Sequence, residues 1–383
     1  MHDFMIGAWI SPIPGDYDHL DNPDFINEKQ YQYIAEAGLN AIYGLYETVD
    51  KNEADVFRAL DMAQKADIYY LVRDRKVLEC KNSSEMKKRL DRFMNHPASM
   101  GVLAVDEPGY DLFQNISRAK ELFKSIYPDK FFYVNMLPLY ATDRQIKYGA
   151  SRLGGKQVTK KDYKKYLEKY INTVKPNILS YDFYPFEGPK PEVRDDYFTQ
   201  LDMMSGFEKP LWCFIQTVKF NDKTRIPTLE EIRFQINTSL AYNHKGIQFF
   251  TYFKPLSVER ETFDGAMIDQ DGNKTDVYES VKQINKENNK FYKLLHSLKW
   301  QGIWANKQTI ESWHIPKTNS FERLPVDSKD DILIARYTNQ HDDYDLIVNL
   351  RMDEAQSVRT KNGKQLSLPP AGVMMIKNEE CVL

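Results

Sequence analysis

MGVLAVDEP, Met100 to Pro108, is a run of small and branched apolar residues that ends in two adjacent carboxylates and a proline. Such a run reads as a strand buried on both faces, and a buried strand should not end in unpaired acids without a reason. Asp106 and Glu107 are therefore the first candidates for chemistry. The plainer alternative is a capping Asp106 beside a solvated Glu107, and what the other apolar runs end in decides between them.

The stretch is one of eight. Apolar runs at Phe4 to Pro12, Asn40 to Glu47, Ile68 to Asp74, Met100 to Pro108, Phe131 to Pro138, Ile178 to Phe186, Pro210 to Val218 and Gly246 to Pro255 alternate with amphipathic segments. Those segments predict helices over 28–37, 53–66, 84–95, 112–127, 161–174, 195–205, 228–242 and 276–298. In the second of them Val56, Ala59, Leu60 and Ala63 share one face. Parallel strands need helical crossovers, and eight strand-then-helix units in roughly 295 residues match an α/β fold of the (β/α)8 TIM-barrel type. A doubly wound open sheet is the runner-up, but no run leads into a GxGxxG or GxxxxGK turn. From Trp300 the pattern changes to short period-two strands at 331–337, 344–350, 357–360 and 373–376, which predict a small C-terminal antiparallel β-sandwich. The expected division is a barrel over 1–300 and a sandwich over 301–383.

Composition narrows the function classes. The 383 residues carry a net charge of −3 with interspersed signs, which argues against a nucleic-acid surface. No stretch approaches the roughly 18 apolar residues of a membrane span, so no membrane insertion is expected. The start, MHDFMIGAWISP, lacks a basic segment followed by an apolar one, and a cytoplasmic location is expected. Cys80, Cys213 and Cys381 are too few and too far apart for a disulfide framework, and the seven histidines show no metal-ligand spacing. Neither a metal nor another cofactor is expected. Aromatic residues reach 13%, with 24 Tyr, which suits a surface that stacks on sugar rings, although an aromatic-rich core gives the same count.

In a barrel the C-terminal strand ends converge on one cavity. Here they carry Trp9, Tyr46, Glu47, Arg73, Asp74, Asp106, Glu107, Asn135, Asp182, Tyr184, Gln216, Tyr252 and Lys254. Carboxylates, amides and aromatics of this kind can hydrogen-bond hydroxyl groups, stack on a ring and move protons without a cofactor. Trp9, Tyr46, Arg73, Asp106, Asn135, Tyr184, Gln216 and Tyr252 are the expected substrate contacts, and Arg73 with Asp74 also reads as a structural ion pair. The long loops, Leu139 to Thr159 and Pro255 to Lys274, follow strands, as expected where that face carries the site. A carbohydrate is the expected partner, and a homo-oligomer closing its sites with neighbouring loops is compatible with the pattern.

Val105-Asp106-Glu107-Pro108 resembles the fourth-strand acid/base signature of the clan A glycoside hydrolases, usually Asn-Glu-Pro. The barrel and sandwich together resemble the β-galactosidase-like family 42 group, and LPPAGV at 368–373 resembles a sandwich edge common in glycoside hydrolases. The resemblance implies that Glu107 is the general acid/base, with Asp106 in place of the usual Asn. It also implies a nucleophilic Glu on the seventh strand, where this chain has Gln216, and an amide cannot form or release a glycosyl ester in the usual way. Asp182 is then the substitute, expected to face Glu107 as the second carboxylate of an inverting pair, about 6.5 to 9.5 Å away. The alternatives are a catalytically silent carbohydrate-binding barrel and, third, a lyase or epimerase with Tyr184 or Lys254 as base.

Overall fold

A computed structural model describes residues 4–17, 22–188, 192–257, 261–327 and 331–378, with the backbone of 380 and 381. Eight parallel strands close into a barrel in sequence order: β1 (Met5–Trp9), β2 (Ala41–Tyr43), β3 (Tyr69–Arg73), β4 (Ser99–Asp106), β5 (Phe131–Met136), β6 (Leu179–Tyr181), β7 (Leu211–Gln216) and β8 (His244–Phe250). The last pairs with the first, Met5 opposite Gly246. Helices Glu28–Glu36, Glu53–Lys65, Ser83–Met94, Phe113–Ile126, Lys160–Val174, Tyr197–Ser205, Leu229–Ala241 and Asp276–Ser297 follow the strands in turn, and the expected TIM barrel is observed. Their apolar stripes face the strands: Val56, Ala59, Leu60 and Ala63 are all buried. Among the described residues no helix is long and apolar enough to cross a membrane.

The two long loops carry structure of their own. Thr142 caps the short helix Asp143–Tyr148 in a reciprocal arrangement with Gln145. Phe263–Gly265 pairs with Val218–Phe220 as an antiparallel ribbon after β7. C-terminal to the barrel, Lys299–Trp304, Ile332–Thr338, Asp343–Asn349, Val373–Lys377 and Glu380–Cys381 form one antiparallel sheet, and Val326–Asp327, Gln356–Thr360 and Gln365–Leu368 form another. They enclose a second small core that includes Ile334, Ile347, Val358 and Leu368. Helix Leu229–Ala241 is wrapped on all sides because these sheets cover its outer face. Asn237 donates to the Ala371 carbonyl at 2.8 Å, Trp300 Nε1 to the Ala241 carbonyl at 2.9 Å, and Trp313 stacks on Phe234 at 5.5 Å.

At least twelve of the 24 tyrosines are fully buried, so the tyrosine excess belongs largely to the core. Inside the barrel, Tyr43 and Tyr133 donate to Gln248 Oε1 at 2.8 and 2.6 Å, and Gln248 Nε2 donates to Ser180 Oγ at 3.0 Å. Every buried hydroxyl in this group has a partner, which is the condition for placing it there.

β4 departs from a regular strand at two points. Tyr70 pairs with Ser99 but Leu71 pairs with Gly101, leaving Met100 as an extra residue against β3. Leu103 pairs with Tyr133 but Val105 with Val134, so Ala104 is extra against β5. Bulges re-aim the side chains that follow them. Gly101 makes the first one feasible, with φ +148° and a site where a Cβ would stand 2.1 Å from the Phe131 carbonyl oxygen. Gly101→Ala is expected to destabilise the protein by more than about 2 kcal/mol, since backbone strain and a main-chain clash combine. Denaturant unfolding of native and substituted protein checks this.

Candidate active site

The second bulge and the backbone of Glu107 decide where the acids go. A regular strand sends Asp106 and Glu107 to opposite faces. Instead the strand is bulged at Ala104, and Glu107 adopts a left-handed conformation at φ +45°. Its N–H donates to the Asn135 carbonyl at 2.9 Å and its carbonyl accepts from Ala150 N–H at 3.1 Å. Both carboxylates consequently join one cluster. A non-glycine residue held in this region by its surroundings stores strain, a feature concentrated at functional sites.

Asn135 is the centre of the cluster. Its Nδ2 donates to Asp106 Oδ1 at 3.3 Å and to Asp182 Oδ1 at 3.2 Å, and its Oδ1 accepts from Ser180 Oγ at 3.0 Å. The tyrosine and glutamine network of the barrel interior therefore reaches the strand ends through Ser180 and fixes the amide's orientation. Asp182, just after β6, is hydrogen-bonded to Glu107. Asp106 is surrounded by protein yet exposed, whereas Asn135 and Asp182 are buried. An opening therefore reaches the floor of the barrel mouth at Asp106.

Three carboxyl groups this close cannot all ionise at neutral pH. Burial raises the Glu107 pKa well above the usual range, and the charges of Asp182 and Asp106 and the bond to Asp182 push it further. Asp182 is also raised, by burial and then by Asp106, but its hydrogen bonds to Glu107 and Asn135 oppose the rise. Burial raises Asp106 too, against the pull of the Arg73 guanidinium and the Asn135 amide. The shared bond thus favours the proton on Glu107 and the charge on Asp182. Arg73, at the end of β3, is held below its usual pKa by burial and faces Asp106, and its Nη1 is buried with no partner among the described residues.

Aromatic rings lie near the acids, whose charges reach the Tyr184 hydroxyl. Tyr184 packs on Phe250 at 5.2 Å and on Phe220 at 5.3 Å, while Trp9 meets Phe214 edge-on at 5.6 Å. Tyr140 was not anticipated: it lies in the loop after β5, and the charges of Asp182 and Glu107 add to burial in raising its pKa. Arg194 lies over its ring at 4.6 Å. Glu261, within the loop after β8, is a further carboxylate whose charge reaches Glu107. Chemical type could have flagged both, but neither ends an apolar run.

Other expected contacts lie elsewhere. Gln216 has no exposed surface, and its side chain bonds the backbone at Phe186, Val218 and Arg225, so its amide holds loops together instead of facing a substrate. Tyr252 is likewise fully buried, its hydroxyl donating to Gln30 on the outer helix. Tyr46 is half-buried, packed on Tyr17 at 4.8 Å and accepting from Leu256 N–H at 2.9 Å, at the rim. Asp74 pairs with Arg89 and not with Arg73, while Lys254 pairs with Asp264 at 3.3 Å. An open cavity of about 1060 Å³ lies near Trp313, His314 and Arg351, and neither Glu107 nor Asp182 lines it.

Glu47 is sealed in the wall, accepting from Ser11 and Tyr70 with its second oxygen unpartnered among the described residues. Burial pushes its pKa up to about 7, against those hydrogen bonds. The folded state then binds a proton that the unfolded chain has released, so stability falls as pH rises from about 4.5 to 7, by about 3 kcal/mol. Glu47→Gln is expected to remove this fall, so the variant should gain on the native protein across that window in denaturant titrations.

The sequence matches no protein-family profile and no curated protein. Solved structures do resemble the fold. The GH42 β-galactosidase Gan42B superposes with a TM-score of 0.61 at 8% identity, covering 99% of this chain and 98% of that one. The cold-adapted β-galactosidase of Rahnella sp. R3 gives 0.59 at 10% identity, over 100% and 99%. For the β-galactosidase of Marinomonas ef1 the values are 0.54 and 9%, and the match spans 78% of this chain but only 62% of that enzyme. The structures this chain is similar to are glycoside hydrolases built on an eight-stranded parallel barrel, and at these identities the likeness is one of fold.

Proposed function

We propose that the protein is a glycoside hydrolase whose general acid is Glu107, with Asp182 as the second catalytic carboxylate. The observation that carries this reading is the hydrogen-bonded pair Glu107 and Asp182 beside an opening floored by Asp106. A half-buried acid kept protonated at neutral pH, beside a partner whose own pKa is raised to about 7, is what protonation of a glycosidic oxygen requires. Asp106, Asn135 and Arg73 supply polar contacts for sugar hydroxyls, and Trp9, Tyr140 and Tyr184 supply ring faces and edges. In this reading the barrel, residues 1–300, carries the chemistry, while 301–383 braces helix Leu229–Ala241 behind β7 and β8. The likeness to β-galactosidase folds is consistent with a carbohydrate substrate but does not choose the sugar.

The second reading, a silent carbohydrate-binding barrel, is favoured by one observation: β7 ends in an amide already used by backbone groups. Turnover of a panel of disaccharides, whose alcohol leaving groups need a proton, by the native protein and by Glu107→Gln separates the two. Turnover that the substitution abolishes supports the hydrolase, and calorimetric binding of sugars without any turnover supports the binding barrel.

A further inference from the structure

The left-handed turn that presents Glu107 is held from beyond β5. Glu107 N–H donates to the Asn135 carbonyl at 2.9 Å, and its carbonyl accepts from Ala150 N–H at 3.1 Å. The next carbonyl, of buried Pro108, accepts from the Tyr166 hydroxyl at 2.7 Å. Gly109 then passes so close to the short helix Asp143–Tyr148 that a Cβ on it would stand 2.4 Å from Tyr148 N and 2.5 Å from Gly149 N. Gly149, at φ +91°, lies against the Glu107 carbonyl in turn, where its own Cβ would stand 3.2 Å away. Three consecutive residues of the acid's turn are thus pinned by the segment that runs from the loop after β5 into helix Lys160–Val174.

The bonds from Asn135 and Ala150 run main chain to main chain, whereas the bond to Pro108 depends on one side chain. Tyr166 has no exposed surface, and its ring packs on Tyr110 at 5.6 Å, Phe113 at 5.5 Å and Tyr163 at 6.1 Å. Those ring contacts need no hydroxyl, so the hydroxyl acts on Pro108. Gln145 holds the short helix: its side-chain oxygen accepts from Thr142 N–H at 2.9 Å, and its Nε2 donates to the Ala150 carbonyl at 3.5 Å. We infer that residues 142–166 position the acid, with Tyr166 acting through the Pro108 carbonyl and Gln145 through Ala150. This rests on the hydrolase reading above. Left-handed backbone is disfavoured for a residue with a Cβ, so a released Pro108 lets the turn at Glu107 relax. A proton donor has to stay within hydrogen-bond reach of the leaving oxygen, and a displacement of about 1 Å costs up to about 10² in rate. The acid is then present but out of line.

A purely structural account gives the Tyr166 hydroxyl only the task of satisfying a buried carbonyl. Kinetics on the full chain separates the two accounts, with aryl glycosides of graded leaving-group pKa as substrates. Tyr166→Phe and Gln145→Ala are each made in the native and the Glu107→Gln backgrounds. Tyr278→Phe is the control, because it removes a hydroxyl that donates to the Tyr33 carbonyl at 2.8 Å between two outer helices. Tyr166→Phe is expected to lower kcat by about tenfold or more with KM little changed, and the loss should grow with leaving-group pKa. Gln145→Ala should show a smaller loss of the same kind, and Tyr278→Phe none. In the Glu107→Gln background neither substitution should lower the residual rate further, since residues that act as a unit are not additive. An unchanged kcat in folded Tyr166→Phe, or an equal loss in both backgrounds, overturns the inference and leaves the hydrolase reading standing. Where Tyr166→Phe does not fold, half-exposed Gln145→Ala decides by the same two criteria. Native turnover that Glu107→Gln leaves intact, or no turnover on any substrate, overturns the hydrolase reading and this inference with it.

Discussion

Glu107→Gln is expected to lower kcat by about 10² to 10⁴ on any glycoside with a poor leaving group, the usual contribution of a positioned proton donor. The substitution preserves shape and hydrogen-bonding capacity, so a folded protein with little change in KM is expected. The left-handed backbone at Glu107 is fixed by main-chain bonds to Asn135 and Ala150 that the side chain does not make. Activated aryl glycosides need little proton donation, so their loss should be smaller. A loss that grows with leaving-group pKa is the signature of a missing acid and not of a disturbed pocket.

Asp182→Asn is expected to cost a comparable factor, and its pH profile carries more information than its size. Activity needs Glu107 protonated and Asp182 ionised, so kcat/KM should be bell-shaped, with both limbs displaced upward from ordinary carboxylate values. Removing the Asp182 charge removes one of the groups that hold the Glu107 pKa up, while burial remains. The alkaline limb should therefore move to lower pH. The acid limb, which reports protonation of Asp182, should flatten. A merely structural Asp182 predicts a lower plateau with neither limb moved, and steady-state kinetics across the pH range distinguishes the cases.

The barrel was legible because its determinants are local. Each apolar run between amphipathic segments reports burial on both faces, and eight of them leave few ways to close a sheet. Asp106, Glu107 and Asp182 were legible for the same reason, as acids at the ends of buried runs. What the sequence did not disclose depends on single-residue insertions and on pairing between distant strands. Nothing in MGVLAVDEP marks Met100 and Ala104 as extra residues, yet without those bulges and the left-handed Glu107 the two acids would diverge. Gln216 and Tyr252 end their runs as a site residue should, but the fold spends their polar groups on Phe186, Arg225 and Gln30. Tyr140 and Glu261 stand in loops, where position relative to a strand end gives no warning. The tyrosine excess misleads for a related reason: a hydroxyl that finds Gln248 or a backbone carbonyl is as much at home in a core as on a sugar.

The claim on which the functional account turns is that Glu107 keeps its proton above neutral pH beside Asp182, whose pKa is raised to about 7. Infrared difference spectroscopy of the ligand-free protein measures it without a substrate, by the stretch of a protonated carboxyl group. The work is best done in a Glu47→Gln background, because Glu47 also titrates near neutrality. A protonated carboxyl band that persists above pH 7, lost in Glu107→Gln and moved to lower pH in its titration by Asp182→Asn, is the expected result. A spectrum with no such band at pH 7, or a band that both substitutions leave untouched, would contradict the account.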